Sequence, residues 1–373
     1  MPHRQATRPS AAWRLRAVLA WLHLWLGLTV GLVFAVVGLT GSVLAFQSEL
    51  LQAAHPQLSR ADLPALERQG QALARIMADA ESRGIRSIDL PSARLPAWQA
   101  HAGKGERHYF DAATGEPLLV RTADNDLLLW LRELHTHLLA GENGEQVLGA
   151  CGIVAVFLLL SGLYLWWPRL ASLFVSLRWH AHPPERRWLS WHRSAGALLL
   201  PLLLLASVTG VALVYNQPVR AALRWTLYDG PEVVPPLPLA PRGERIDWPA
   251  VLRAAEGGLP GGALRRVNVL RGDNALVAIR ARAAGEWHPN GRSMIWLDPY
   301  QARVVQVHDA TAQDAGARIS EAMYPLHGGF IGGRVWQCVV ALAGLVPAFL
   351  FVTGLMLWIS QKRRDARAVA ATR

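Results

Sequence analysis

The chain has 373 residues, of which 52% are hydrophobic, more apolar side chains than one soluble domain of this length ordinarily carries. Its formal net charge of +11 comes largely from basic residues beside long apolar runs. That placement excludes nucleic-acid binding, which needs its cations on a folded soluble face. Only two cysteines occur, Cys151 and Cys338, both inside apolar runs, which makes them packing residues rather than a disulfide staple.

Residues 1–16 form a basic start with Arg4, Arg8, Arg14 and Arg16. The uncharged run 17–47 exceeds the about 20 residues a spanning helix needs. It is about twice a signal-peptide core, which predicts a retained span rather than a cleaved leader. Residues 48–145 are predicted to be a first outer domain. A helix is expected near 63–81, with extended pieces at 85–90, 97–101 and 107–120. In the last of these Asp111 starts a hairpin turn and Gly115 supplies its corner. An amphipathic interfacial helix over 127–139 carries His135 and His137, of which only His135 has a counterpart later in the chain.

A second span is predicted at 146–167, followed by a loop at 168–188 with Arg169, Arg178, Arg186 and Arg187, and a third span at 189–215. Residues 216–335 are predicted to be a second outer domain. Its proline-rich linker at 231–241 precedes a short helix near 248–255 and strands near 265–271, 275–283 and 294–307. In the last hairpin Asp298 takes the place of Asp111, and Ala302 stands where the first copy has Gly115. A fourth span at 336–360 leads to the tail 361–373, with Lys362, Arg363, Arg364 and Arg367. The positive-inside rule predicts an inner-membrane protein with both termini and the 168–188 loop cytoplasmic, and with both outer domains periplasmic.

The order helix, polar domain, helix occurs twice. His23 precedes Thr40-Gly41 by 17 residues and His192 precedes Thr209-Gly210 by 17; Gly27 and Gly196 each follow a histidine by four. His135 precedes Ser161-Gly162 by 26 residues, and His327 precedes Thr353-Gly354 by 26. The expected fold is an α-helical membrane bundle of four spans arising from an internal duplication, bearing two small α+β periplasmic domains. Two copies running the same way imply a two-fold axis along the membrane normal. His23 would then face His192 in an inner tier, and His135 would face His327 in an outer one.

An ionisable side chain in a span is costly and calls for a function. Paired imidazoles across a helix bundle suit axial ligation of haem iron, and the small residues give a flat ligand room. Zinc normally takes more ligands than two histidines, and two-histidine copper leaves the small residues without a purpose. The plainer account is that each histidine joins helices by hydrogen bonds. Arg16, Arg169, Arg186, Arg187 and Arg193 are candidates for pairing with inner propionates, although topology and lipid headgroups explain any one of them singly. Trp21, Trp25 and Trp191 lie near enough in sequence to line a pocket, while Trp13, Trp166, Trp167, Trp188 and Trp358 read as interface anchors.

The LH…TG and LH…GLxLW arrangements, enclosing DxxTG-type hairpins, resemble the PepSY-associated transmembrane family over about residues 13–360. The resemblance implies an inner-membrane reductase that carries b-type haem and reduces ferric siderophores in the periplasm. By motif it assigns His23, His135, His192 and His327 as ligands of two haems. The expected function is electron transfer across the membrane, from a cytoplasmic donor or a quinol, to a ferric siderophore or other ferric chelate. The alternative is a regulator whose outer domains bind or inhibit a periplasmic peptidase. A transporter is disfavoured by the lack of acidic residues in the spans. No nucleotide loop, flavin fingerprint, HExxH or nucleophile elbow is present.

Overall fold

The computed structural model describes residues 11–59, 62–168, 170–227, 233–269 and 272–371. Arg4, Arg8, Arg169 and the start of the proline-rich linker lie outside the described residues. In chain order the helices are α1 (Ala11–Leu44), α2 (Gln47–Ala54), α3 (Leu66–Ala78), α4 (Leu127–His137), α5 (Gly141–Trp166), α6 (Leu173–Ser176), α7 (Pro184–Leu198), α8 (Leu200–Val214), α9 (Asn216–Leu227), α10 (Trp248–Gly258), α11 (Ala315–His327) and α12 (Gly333–Ala371). The strands are β1 (Ser87–Asp89), β2 (Ala97–His101), β3 (Arg107–Asp111), β4 (Pro117–Arg121), β5 (Ala263–Asn268), β6 (Val277–Arg282), β7 (Ser293–Asp298) and β8 (Arg303–His308). They divide into two compact units: residues up to 45, 134–214 and from 334 onward in one, residues 46–133 and 215–333 in the other.

The first unit is helical and apolar. Among the described residues α1, α5 and α12 are each long and apolar enough to cross a membrane. The predicted third span is not the unbroken helix expected over 189–215. It is a pair, α7 and α8, bent by 65° at Leu199. Pro201 accounts for the break, because it has no N–H for the Ala197 carbonyl and its ring crowds that oxygen. The helices meet through small residues, as expected where apolar packing alone cannot distinguish neighbour from lipid. A Cβ on Gly38 of α1 would overlap the Gly344 carbonyl of α12. Beside that crossing Ser42 donates to the Ala341 carbonyl at 2.7 Å, and the Gln337 amide donates to the Ala45 carbonyl at 2.7 Å. Gly152 of α5 makes a similar close approach to Val211 of α8.

The second unit holds one antiparallel sheet of eight strands in the order β4-β3-β2-β1-β5-β6-β7-β8. The sequence predicted two separate α+β domains. Their strands instead join where β1 pairs with β5, in the register Ile88 to Val267. β1 has only three residues and would be a poor edge by itself, and this pairing covers it. The strands alternate. Val277, Ile279 and Ala281 of β6 are buried toward α3 and α10, while Arg280 and Arg282 occupy the opposite face. α3 and α10 cross at Gly70, where a Cβ would lie 2.5 Å from Pro249 Cα. One core therefore serves both halves, with Leu73, Ile76, Ile88 and Trp98 from the first and Val251, Leu252, Val267 and Ile279 from the second.

Both hairpins turn as predicted. Asp111 Oδ1 accepts from the N–H groups of Ala113 and Thr114, and Asp298 Oδ1 accepts from those of Tyr300 and Gln301. Gly115 has φ +72° and Ala302 has φ +47°, so the alanine occupies the left-handed region its counterpart fills without strain. α9 and α11 were not read from the sequence. They pack on each other, with Gly316 and Pro325 interrupting the helical pattern of α11.

Candidate cofactor site

His23 lies in the middle of α1 and its ring rests on α5. Nδ1 is 3.0 Å from Ser161 Oγ, and the ring also makes a hydrogen bond to the backbone of Leu158. The Ser161 hydroxyl donates its own proton to the Leu158 carbonyl at 3.1 Å. Its oxygen must therefore accept from the imidazole, which fixes the proton on Nδ1. Nε2 is left with its lone pair. Gly162 allows this approach, since a Cβ there would come within 3.0 Å of His23 Cε1.

His192, on α7, repeats the arrangement against α12. Nδ1 is 2.9 Å from the Leu350 carbonyl and 3.2 Å from Thr353 Oγ1. Thr353 donates its proton to Phe349 and Leu350, at 2.8 and 3.1 Å, so it too accepts from Nδ1. Gly354 gives the ring room, with a Cβ position 3.4 Å from His192 Cε1. The two imidazoles meet with centroids 6.2 Å apart and planes at 88°.

That spacing can be compared with the need of a shared metal. A metal–imidazole bond of about 2 Å on each side, with about 1 Å more from each nitrogen to its ring centroid, gives about 6 Å. Directly stacked or clashing rings would be closer. Gly27 and Gly196 stand one turn beyond the histidines on the same helices. A Cβ on Gly27 would meet nothing within 4 Å, and one on Gly196 only Leu350 Cδ2 at 3.7 Å. Space for a side chain is therefore open at Gly27, while at Gly196 Leu350 occupies contact distance.

The cationic candidates divide. Arg16 donates to the Leu165 carbonyl at the end of α5, and Arg193 donates to the Ser176 carbonyl at 2.8 Å. Nε of Arg187 and of Arg193 is nevertheless buried without a hydrogen-bond partner among the described residues. Arg186 is exposed. Trp191 belongs to an aromatic group with Trp179, Trp188 and Phe349, whereas Trp21 and Trp25 are exposed at 60% and 46%.

His135, near the end of α4, uses the same local design. Nδ1 is 2.9 Å from the Val37 carbonyl and 3.1 Å from Thr40 Oγ1, and a Cβ on Gly41 would lie 2.9 Å from its Cε1. Thr40 donates to Val36 and Val37, so it accepts from this ring as well. His137 has Nδ1 2.7 Å from Thr136 Oγ1. Thr209, buried on α8 and followed by Gly210, donates to the Leu205 and Ala206 carbonyls. His327 is the last residue of α11 and belongs to the second unit.

Sequence spacing did not reveal the carbonyls of Leu158, Leu350 and Val37. Each lies three residues before the paired Ser or Thr, a regularity that backbone acceptors leave no residue-type signal to read. Among the described residues no group of three or more His, Cys, Asp or Glu is placed to hold a metal ion.

No curated protein matches the chain at a significant level. The family model described as the PepSY-associated TM region matches residues 20–361, a stretch that takes in His23, His135, His192 and His327, most of the membrane helices and the whole sheet. The chain therefore belongs to the PepSY-associated TM family, as a membrane protein.

Proposed function

We propose that this chain is a haem b protein of the bacterial inner membrane that moves electrons outward to a periplasmic ferric siderophore or other ferric chelate. The observation that carries this reading is the His23–His192 pair, with centroids 6.2 Å apart and each Nδ1 tied down so that each Nε2 lone pair is free. These two residues would hold the haem iron, and Arg187 and Arg193 would be the partners for its propionates. A haem held there supplies reversible one-electron chemistry at a potential set by its two neutral imidazoles.

The residues do the rest. Ser161 and Thr353 hold each ring in one tautomer and one orientation, which avoids reorganisation when charge changes. Gly27, whose Cβ position has nothing within 4 Å, would give a flat ligand room one turn from His23, and the surrounding apolar helices would keep water from it. An outer haem on His135 and His327 is proposed from the duplicated sequence offsets, as is the origin of the four spans from one doubled half. Hydrogen bonding between helices would by itself account for the Nδ1 contacts, but not for the approach of two imidazoles with centroids 6.2 Å apart.

The test is the absorption spectrum of the detergent-purified chain, with haem counted as the pyridine haemochrome. Low-spin b-type bands and about two haems per chain are expected, with His23→Ala and His192→Ala each retaining one. A colourless chain, or both haems surviving in both variants, would overturn the proposal. A colourless chain that inhibits a periplasmic peptidase would favour the regulator instead.

A further inference from the structure

The face of the sheet turned away from α3 and α10 carries a cavity of about 470 Å³ within the second unit. Its floor is β1, β2, β3, β5 and β6, and its walls include residues of α2 and α4. Seven arginines line it, against one carboxylate, Asp89. Two of the seven are already neutralised. Arg121 makes a bidentate pair with Asp126, at 2.6 and 2.8 Å, and Arg266 makes one with Asp89.

Arg265 has Arg282 and Arg94 as neighbouring like charges, and Arg107 has Arg132. Arg107 donates only to backbone carbonyls, those of Gly105 and Glu106, in the hydrogen bonds described. Arg282 donates to the Glu286 carbonyl, and Arg94 lies over the Phe330 ring with its guanidinium carbon 5.3 Å from the centroid. Arg265 Nε is buried with no hydrogen-bond partner among the described residues. Burial, and then the neighbouring Arg282 and Arg94, push the Arg265 guanidinium below its ordinary pKa; burial and Arg132 do the same to Arg107. A buried, unsatisfied donor among like charges costs stability unless something answers it.

We infer that this cavity binds a small polycarboxylate anion, free or as the iron-bearing hydroxycarboxylate chelate. The inference rests on the proposed function and narrows its ferric substrate to the anionic class. Guanidinium groups present paired donors that match a carboxylate oxygen for oxygen, and several of them around one space suit a ligand with several carboxylates. The volume lies within the range of small-molecule sites. The Asp89–His101–Arg266 group stiffens the floor, with His101 Nε2 2.7 Å from Asp89 Oδ2. Burial works to raise the Asp89 carboxyl, but hydrogen bonds from His101 and Arg266 outweigh it and hold it below its ordinary value. Asp89 thus stays charged and keeps Arg266 in place.

The test is isothermal titration of the full chain in detergent at low ionic strength, using iron-free citrate, inorganic phosphate and acetate. Citrate is expected to bind one per chain, at least tenfold more tightly than phosphate or acetate, and to weaken at least tenfold in both Arg265→Gln and Arg94→Gln. Arg94 is exposed, so its variant tests the charge without disturbing the core. No citrate binding, unchanged binding in both variants, or phosphate bound as tightly as citrate would overturn the inference. His23→Ala, which loses a haem under the proposed function, should bind citrate as the parent does. A failure of the haem reading therefore shows in the spectrum, and a failure of this one shows in the titration.

Discussion

At the scale of single residues, the proposed haem site depends on side chains that are absent. Gly27 costs its helix about 1 kcal/mol relative to alanine and a similar amount relative to leucine. Nothing packs against the missing Cβ, so the glycine is not explained by a close helix crossing of the Gly38–Gly344 kind. Gly27→Leu should therefore leave the stability of the helices unchanged or slightly raised, while the leucine fills the space one turn from His23. The expected result is a haemochrome reading reduced by about half with unchanged circular dichroism. Unaltered haem content would mean that Gly27 borders lipid rather than a cofactor.

At the scale of elements, Asp126 ties three pieces together just before α4. It accepts from the Leu129 N–H at 2.9 Å, pairs with Arg121 at the end of β4, and has His55, beyond α2, at 3.5 Å. The Arg121 and Asp126 side chains are 5% and 10% exposed, so this is a buried pair, where removing one partner strands a charge. Asp126→Asn keeps the helix-capping acceptor and should cost about 3 kcal/mol. Burial tends to raise the Asp126 carboxyl, but the Arg121 hydrogen bond, with further help from Leu129 and His55, holds it at about 2. With the folded value depressed, the stabilisation is complete above the unfolded value of about 4 and fades as pH falls toward 2. Urea midpoints of parent and variant should differ at pH 7 and converge between pH 4 and 2. Sequence reading located the strands and hairpins well at this scale, because period-two alternation and the Asp-led turns are local signals. It missed the break before Pro201 because the apolar run continues through it, and it missed α9 and α11 because their turns carry Pro and Gly.

At the scale of the whole molecule, the histidine offsets were legible because both copies keep the same count, whereas the joining of the sheet was not. Nothing in three residues of β1 announces a partner in β5, about 180 positions later, and only the pairing of Ile88 with Val267 exposes it. The consequence is mechanical. Two polar segments that look like separate domains share one core, so damage in one should unfold both. Gly70→Leu tests this at the α3–α10 crossing, where a Cβ would meet Pro249 N and Cα, backbone atoms that cannot turn aside. Helix propensity favours leucine by about 1 kcal/mol, but overpacking against backbone costs up to about 3 kcal/mol or more, so the clash decides the sign. Hydrogen exchange followed by mass spectrometry should then show protection falling together in β2 and β7, on opposite sides of the β1–β5 joint. Loss confined to peptides from the first polar segment would mean that the two halves of the sheet fold independently, and the shared core would not be the unit of stability.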